Sequence, residues 1–172
     1  MSPLYFSKLP SPVGPLLLLG DGNSLTGLRM QKQKYAEDLP KSSLRDDALF
    51  KDAREQLTAY FARKLNSFDL QLKPEGTSFQ KLVWKALLDI PFGATESYGA
   101  LAKRIGHDQG ARAVGLANGH NPIGIIIPCH RVIGADGSLT GYGGGIERKQ
   151  WLLEHEGSYR RTERPTQIQL GL

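Results

Sequence analysis

Four side chains in this sequence have the types needed for nucleophilic chemistry, and three of them are consecutive. Cys129 is the only cysteine, and it stands in IGIIIPCHRVIG between Pro128 and the pair His130-Arg131. A thiol with a pKa of about 8.5 is only a few per cent thiolate at neutral pH, and the thiolate is the nucleophile. A neighbouring imidazole can take the proton or stabilise the anion. Neighbours on a strand point to opposite faces, so contact between Cys129 and His130 requires a bend at Pro128 or a bridging water. Arg131 adds positive potential near any anion formed there. The fourth group, Glu156, shares a helical stripe with Lys149, Leu152 and Leu153 at i, i+3, i+4 and i+7. A carboxylate on a core-facing stripe needs a partner. His130 would serve, and would become more basic in return. The plainer alternatives stay open at this level: a lone cysteine often acts as a small buried hydrophobe. Arg131 can be a surface cation, and Glu156 can reach water from a helix end.

The elements that must position these groups divide at a polar, Pro- and Gly-containing segment, KPEGTS. Before it, SPVGPLLLLGDGNSLTGLRM holds two apolar runs around Gly20-Asp21-Gly22-Asn23, a hairpin signal. Residues 44–65 predict an amphipathic helix, with Leu49, Ala53, Leu57, Tyr60, Phe61 and Leu65 near helical spacing. FDLQL at 68–72 predicts a short strand. After the segment, SFQKLVWKALLDI predicts a helix capped by Ser78, with Phe79, Leu82, Val83, Ala86 and Leu87 on one face. Ser97 can cap YGALAKRI, which stops at Gly106. HDQG then leads into ARAVGLAN, a second short helix. Two short helices joined by a tight turn form the helix-turn-helix pattern, which many non-DNA-binding corners share. HNP at 120–122 is a turn, and IGIII predicts a short buried strand ended by Pro128. Residues 134–145 contain six glycines and match no nucleotide-binding loop. ERKQWLLEHE predicts a last helix ending at Gly157, followed by a polar tail over 158–172. The predicted domains are 1–73, a linker at 74–78, and 79–157.

Composition narrows the class. With 172 residues, 40% hydrophobic and 23% charged, the chain suits one ordinary domain or two small ones. The apolar run 16–19 is far below the roughly 20 residues of a membrane span, and its flanks do not suit a signal peptide, so the expected location is cytoplasmic. One cysteine precludes an internal disulfide, and the histidines at 107, 120, 130 and 155 lack paired metal-ligand spacing, so no metal and no cofactor are expected. The net charge of +5 favours an anionic partner. Between Ser97 and Ala135 only Asp108 opposes Lys103, Arg104, Arg112 and Arg131, which places the basic character on the helix-turn-helix.

Taken together, ARAVGLANGHNPI, IIIPCHRVIG and GYGGGIERKQWLLEHEG, in this order and spacing, resemble the O6-alkylguanine-DNA alkyltransferases. The likeness runs almost continuously from Phe79 to Gly157, and the first half resembles the family more loosely. It implies an α+β chain: a small N-terminal ribonuclease-H-like α/β domain, and a C-terminal helical, winged-helix-like domain that carries the cysteine. It also implies repair by direct reversal. Duplex DNA is bound, an O6-alkylated guanine is flipped out, and Cys129 takes the alkyl group once, forming a thioether that nothing resets. By the same resemblance His130 acts through a water on Cys129, Glu156 polarises His130, and Asn121 holds the turn leading to the cysteine. Tyr98 assists flipping and hydrogen-bonds the base, and Arg112 enters the stack in its place. Ala113, Gly115 and Ala117 allow close approach to the minor groove. Tyr142, Gly143 and Val132 wall the base pocket. The expected partner is duplex DNA containing alkylated bases, with no membrane, and a monomer in solution. Cooperative assembly on DNA, alkyl size and activity on O4-alkylthymine are left open. A damage sensor of the alkyltransferase-like type would replace the cysteine, and a cysteine hydrolase would leave the helix-turn-helix without a purpose.

Overall fold

The computed structural model describes residues 3–159, so the polar tail expected from 158 onward lies outside the described residues beyond Tyr159. The two N-terminal apolar runs pair as an antiparallel hairpin of β2 (Leu16–Gly20) and β3 (Leu25–Met30). Asp21 sets its turn: the carboxylate accepts from the N–H groups of Asn23 and Ser24 at 2.9 and 2.8 Å. β1 (Tyr5–Leu9) pairs antiparallel with β2, and β4 (Leu44–Arg45) pairs parallel with β1, giving the sheet order β3-β2-β1-β4.

The helix predicted over 44–65 is shorter. Leu44 and Asp46 donate their N–H groups to the carbonyls of Leu4 and Phe6, which draws the start of the segment into the sheet. Asp46 then caps a single 3₁₀ turn, Asp47–Phe50, and α1 (Lys51–Phe61) follows. Ala53, Leu57 and Tyr60 are buried, Leu49 of the predicted stripe is exposed, and Leu65 lies beyond the helix end. FDLQL is not a strand: it makes one bridge, at Leu72, to Leu25 of β3.

The second half is helical: α2 (Ser78–Leu87), α3 (Tyr98–Arg104), α4 (Ala111–Gly119) and α5 (Ile146–His155). A two-residue parallel pair, β5 (Glu96–Ser97) with β6 (Val132–Ile133), ties them together. Thr77, not Ser78, caps α2, and it forms a capping box with Gln80. Trp84 is buried in place of Leu82, and its indole N–H donates to the Ala117 carbonyl at 2.8 Å. Ser97 caps α3 through the Ala100 N–H. α3 and α4 pack together as the predicted corner.

The run IGIII is buried as expected, but it is not a strand. Ile125 adopts φ 69°, and the N–H groups of Ile126 and Ile127 donate to the carbonyls of Gly124 and Ile123, winding the segment into consecutive turns. Only Ile123 pairs with a strand. Leu28 of β3 donates to the Pro122 carbonyl at 2.9 Å, and Gly124 donates to Leu28 at 3.3 Å. An exposed sheet edge is open to unwanted pairing; here the approach to Cys129 and the bridge at Leu72 both cover β3. The two halves therefore share one apolar core, in which Leu28, Ile123, Val83 and Leu152 belong to one cluster.

Candidate active site

Cys129 opens a one-turn 3₁₀ helix, Cys129–Arg131, that follows Pro128 directly. Two asparagines hold this turn. The side-chain amide of Asn121 donates to the Ile127 carbonyl at 2.8 Å, while its oxygen accepts the Ile123 N–H at 3.0 Å. Asn118, on α4, donates to the Cys129 carbonyl at 3.1 Å. The nucleophile is thus pinned on one side to the loop and on the other to the second helix of the corner. Asn118 was not singled out from the sequence; its signal was a polar residue on the inner face of an otherwise small and apolar helix.

Behind the thiol lies a closed ionic cluster. His130 Nε2 is 2.7 Å from Glu156 Oε2, and both side chains are fully buried. Arg131 donates Nε to Glu156 Oε1 at 2.7 Å, Nη2 to Oε2 at 3.1 Å and Nη1 to the Ile90 carbonyl at 2.7 Å. Arg131, unexplained from sequence, is the buried counter-ion of Glu156. Tyr60, from α1, donates its hydroxyl to Glu156 Oε2 at 2.6 Å. In the sequence Tyr60 reads as a core residue, because nothing local links its hydroxyl to a carboxylate 96 positions away.

The electrostatics follow from these contacts. Burial pushes the Glu156 carboxyl up, but His130 and Arg131 outweigh it and hold the group at about 2. Glu156 is therefore a carboxylate that only accepts, so His130 must carry its proton on Nε2 and keep the Nδ1 lone pair free. Nδ1 is buried without a hydrogen-bond partner among the described residues. Burial lowers the His130 pKa, with Glu156 acting against it, so the imidazole is neutral at rest. Burial also pushes the Cys129 thiol up, against an Asn121 hydrogen bond and the Lys149 charge. Cys129 is thus a resting thiol, and the next residue is a neutral imidazole whose Nδ1 lone pair is unused among the described residues, which are the two groups a proton transfer needs.

The opposite wall is built by Tyr98, Lys149 and the glycine loop. Tyr98 leads α3 and donates its hydroxyl to the Thr140 carbonyl at 2.7 Å. Lys149 is fully buried on α5, donating to the same carbonyl at 2.8 Å and to Tyr98 Oη at 3.4 Å. Burial lowers its ammonium to about 8, and the Cys129 charge opposes that. Gly141 takes φ 63°, and a Cβ there would meet Tyr98 Oη at 3.4 Å. Tyr142 is half-buried, its pKa raised by burial and by Cys129. Gly143 is tied to the first half by the Lys34 N–H, which donates to its carbonyl at 2.9 Å.

The other predicted residues separate by exposure. Arg112 and Ala113 are exposed on α4, with Leu116 beside them at 60% exposure. Gly115 lies against the Tyr98 ring, where a Cβ would come within 3.6 Å. Ala117 is buried and spends its carbonyl on Trp84, so it faces the core rather than a partner. Val132 is fully buried in β6, within the same apolar cluster as Cys129. The basic character of the corner also narrows: Arg104 is bridged to Glu96 and Asp89, and Arg131 to Glu156. Lys103 and Arg112 are exposed and form no salt bridge among the described residues. Among the described residues no cluster of His, Cys, Asp and Glu could hold a metal, and no helix is long and apolar enough to cross a membrane.

Comparison with known proteins gives this geometry a context. Residues 4–74 match the family described as 6-O-methylguanine DNA methyltransferase, ribonuclease-like domain, and residues 78–158 match its DNA binding domain. The chain is 52% identical over 155 residues to the methylated-DNA–protein-cysteine methyltransferase of Methanosarcina acetivorans, covering 90% of this chain and 99% of that protein. It is 57% identical to Mycobacterium tuberculosis OGT, crystallised in complex with DNA, with a TM-score of 0.86 over 90% of this chain and 93% of the other. The O6-methylguanine-DNA methyltransferase of Pyrococcus kodakaraensis is similar at 25% identity and a TM-score of 0.52, covering 90% of this chain and 99% of that one.

Proposed function

The chain belongs to the 6-O-methylguanine DNA methyltransferase family, and from that premise we propose that Cys129 removes the alkyl group from O6-alkylguanine in duplex DNA, once per molecule. One observation carries this reading: the only thiol is flanked by a neutral imidazole whose far nitrogen is locked to a buried, ionised carboxylate.

The thiol proton passes to His130 Nδ1, directly or through a water, and Glu156 stabilises the imidazolium. Sγ attacks the alkyl carbon in line with the C–O6 bond. The S–C bond forms as C–O6 breaks, and the electron pair stays on the purine, which takes up a proton and leaves as guanine. Charge developing on the purine calls for a donor at its edge. Tyr98 supplies it once its hydroxyl is released from Thr140, with the Lys149 ammonium behind it. Cys129 is 5% exposed, so a base reaches Sγ only if the residues around it shift, and releasing Tyr98 from Thr140 would be one such shift. A base in a duplex hides its reactive atom, and flipping costs a few kcal/mol. Arg112, exposed on α4, would fill the gap and add charge to the groove. The thioether product has no good leaving group, and no second thiol exists to regenerate the first. A free thiol suits a reducing compartment, in keeping with action in the cytoplasm.

The test is transfer from duplex DNA carrying labelled O6-methylguanine. One label per protein on Cys129, absent in Cys129→Ser, is the expected result. Label released as a small product over many turnovers would refute single use, and binding without transfer would make the protein a sensor.

A further inference from the structure

We propose that Tyr60 is a positioning residue of the transfer reaction: its hydroxyl, delivered from the sheet-containing half, orients Glu156 and limits how strongly that carboxylate holds a proton on His130. The proposal rests on the reading of Cys129 and His130 given above and assigns a chemical part to the half that carries no reacting group.

Three observations support it. The hydroxyl donates to Oε2, the same oxygen that receives His130 Nε2, at 2.6 and 2.7 Å. The two donors therefore compete for one oxygen's charge. The ring's place does not depend on the hydroxyl, because Phe61, Phe68, Phe92 and His155 surround it with centroids 5.0–6.2 Å away. A phenylalanine would fill that cage equally well, so the oxygen has a role beyond packing. Finally, the Tyr60 carbonyl faces His155 Nε2 at 2.8 Å. One residue thus holds both the end of α5 and the carboxylate that follows it.

The sign of the effect follows. A carboxylate with fewer donors is a stronger acceptor for the rest. Without the Tyr60 hydroxyl, Glu156 would stabilise the His130 imidazolium more, and His130 would stay protonated to higher pH. Since it must be neutral to take the thiol proton, the acidic limb of the rate profile moves up. The other groups facing this pair are unchanged by the substitution: Arg131 and Lys149 act on His130, Arg131 and Tyr142 lie near Tyr60, and Cys129 precedes His130.

The experiment measures Cys129 alkylation by free O6-benzylguanine across pH 5–9, which removes DNA binding from the readout. Tyr60→Phe should move the acidic limb up by about half to one pH unit, read as about a three- to tenfold loss on the falling part of the acidic limb and little change near pH 8.5. Site-specific 3-fluorotyrosine at position 60, a stronger donor of nearly the same shape, should move the limb down. It decides the matter if Tyr60→Phe does not fold. A limb that stays in place, whether or not the overall rate falls, assigns Tyr60 a purely structural role and overturns the proposal. Absence of transfer by the unsubstituted protein, from base and duplex alike, would instead overturn the reading of Cys129.

Discussion

Replacing Lys149 with methionine should make the protein more stable at neutral pH, or leave it unchanged, while slowing alkyl transfer. Lys149 is fully buried, and among the described residues its hydrogen-bond partners are neutral: the Thr140 carbonyl and the Tyr98 hydroxyl. Its ammonium is held at about 8 against 10.5 in the unfolded chain. That gap corresponds to about 3 kcal/mol of destabilisation at neutral pH, at ~1.4 kcal/mol per pH unit. The unfolded state binds more protons between pH 8 and 10.5, so stability rises with pH across that window and the cost is fully present below it. Methionine removes the cost and also the hydrogen bonds, together worth about 1.5–3 kcal/mol. The expected net change at pH 7 is a gain of about 0–1.5 kcal/mol, or at most a few degrees in Tm. The sharper readout is pH dependence. Urea unfolding of both forms in a Cys129→Ser background, which removes thiol titration, should show the methionine form losing about 3 kcal/mol relative to lysine between pH 8 and 10.5. With Cys129 present, transfer to free base should fall at least about tenfold, because a charge facing the thiol and Tyr98 is gone. A stability difference that is flat from pH 7.5 to 10.5 would refute the account of Lys149 as a buried charge retained for chemistry.

Two further outcomes follow from the exposed and the buried ends of the site. Arg112→Ala should lower repair of duplex DNA by about tenfold or more while leaving reaction with free O6-benzylguanine within about twofold, since Arg112 is exposed on α4 and its proposed part is in the DNA stack; equal losses on both substrates would remove its assigned role. Glu156 is held at about 2, below its unfolded value of 4.5, so its contribution is complete above pH 4.5 and is lost as pH falls toward 2. The stability gap between the unsubstituted protein and Glu156→Gln, measured by urea unfolding, should therefore narrow as pH falls below about 4.5, after any widening through the His130 range, where loss of Glu156 depresses that imidazole further.

What could be read from the sequence was local in origin. Asp21 and Ser97 act through residues two or three positions away, so the hairpin turn and the α3 cap were legible. The stripe from Lys149 to Glu156 follows from helix geometry, and all four side chains are buried. The failures share a cause. Leu44 and Arg45 fit a helical pattern yet join β1, and IGIII fits a strand yet winds into turns against β3. Leu44 and Asp46 find backbone partners next to and within β1, and IGIII closes its own turns while Leu28 and the Asn121 side chain hold it, bonding that intrinsic pattern does not record. Ala117 and Val132 carry family-motif positions, but Trp84 and β5 enclose them.

The same non-local logic governs the site. The reactive segment alone reads as Cys129, His130 and a surface arginine. In the folded chain Arg131 turns inward because Glu156 needs a permanent cation: a buried carboxylate shared only with a neutral imidazole would lose its charge, and with it the ability to orient His130. A cation at full strength would in turn suppress the imidazolium that the reaction must form. Glu156 reconciles the two by giving Oε1 to Arg131 Nε and dividing Oε2 among Tyr60, His130 and Arg131 Nη2. The sheet-containing half is therefore part of the site on physical grounds even though it carries neither the thiol nor the imidazole: it supplies the edge that seats the approach to Cys129, the backbone N–H that ties down Gly143, and the third donor to the carboxylate.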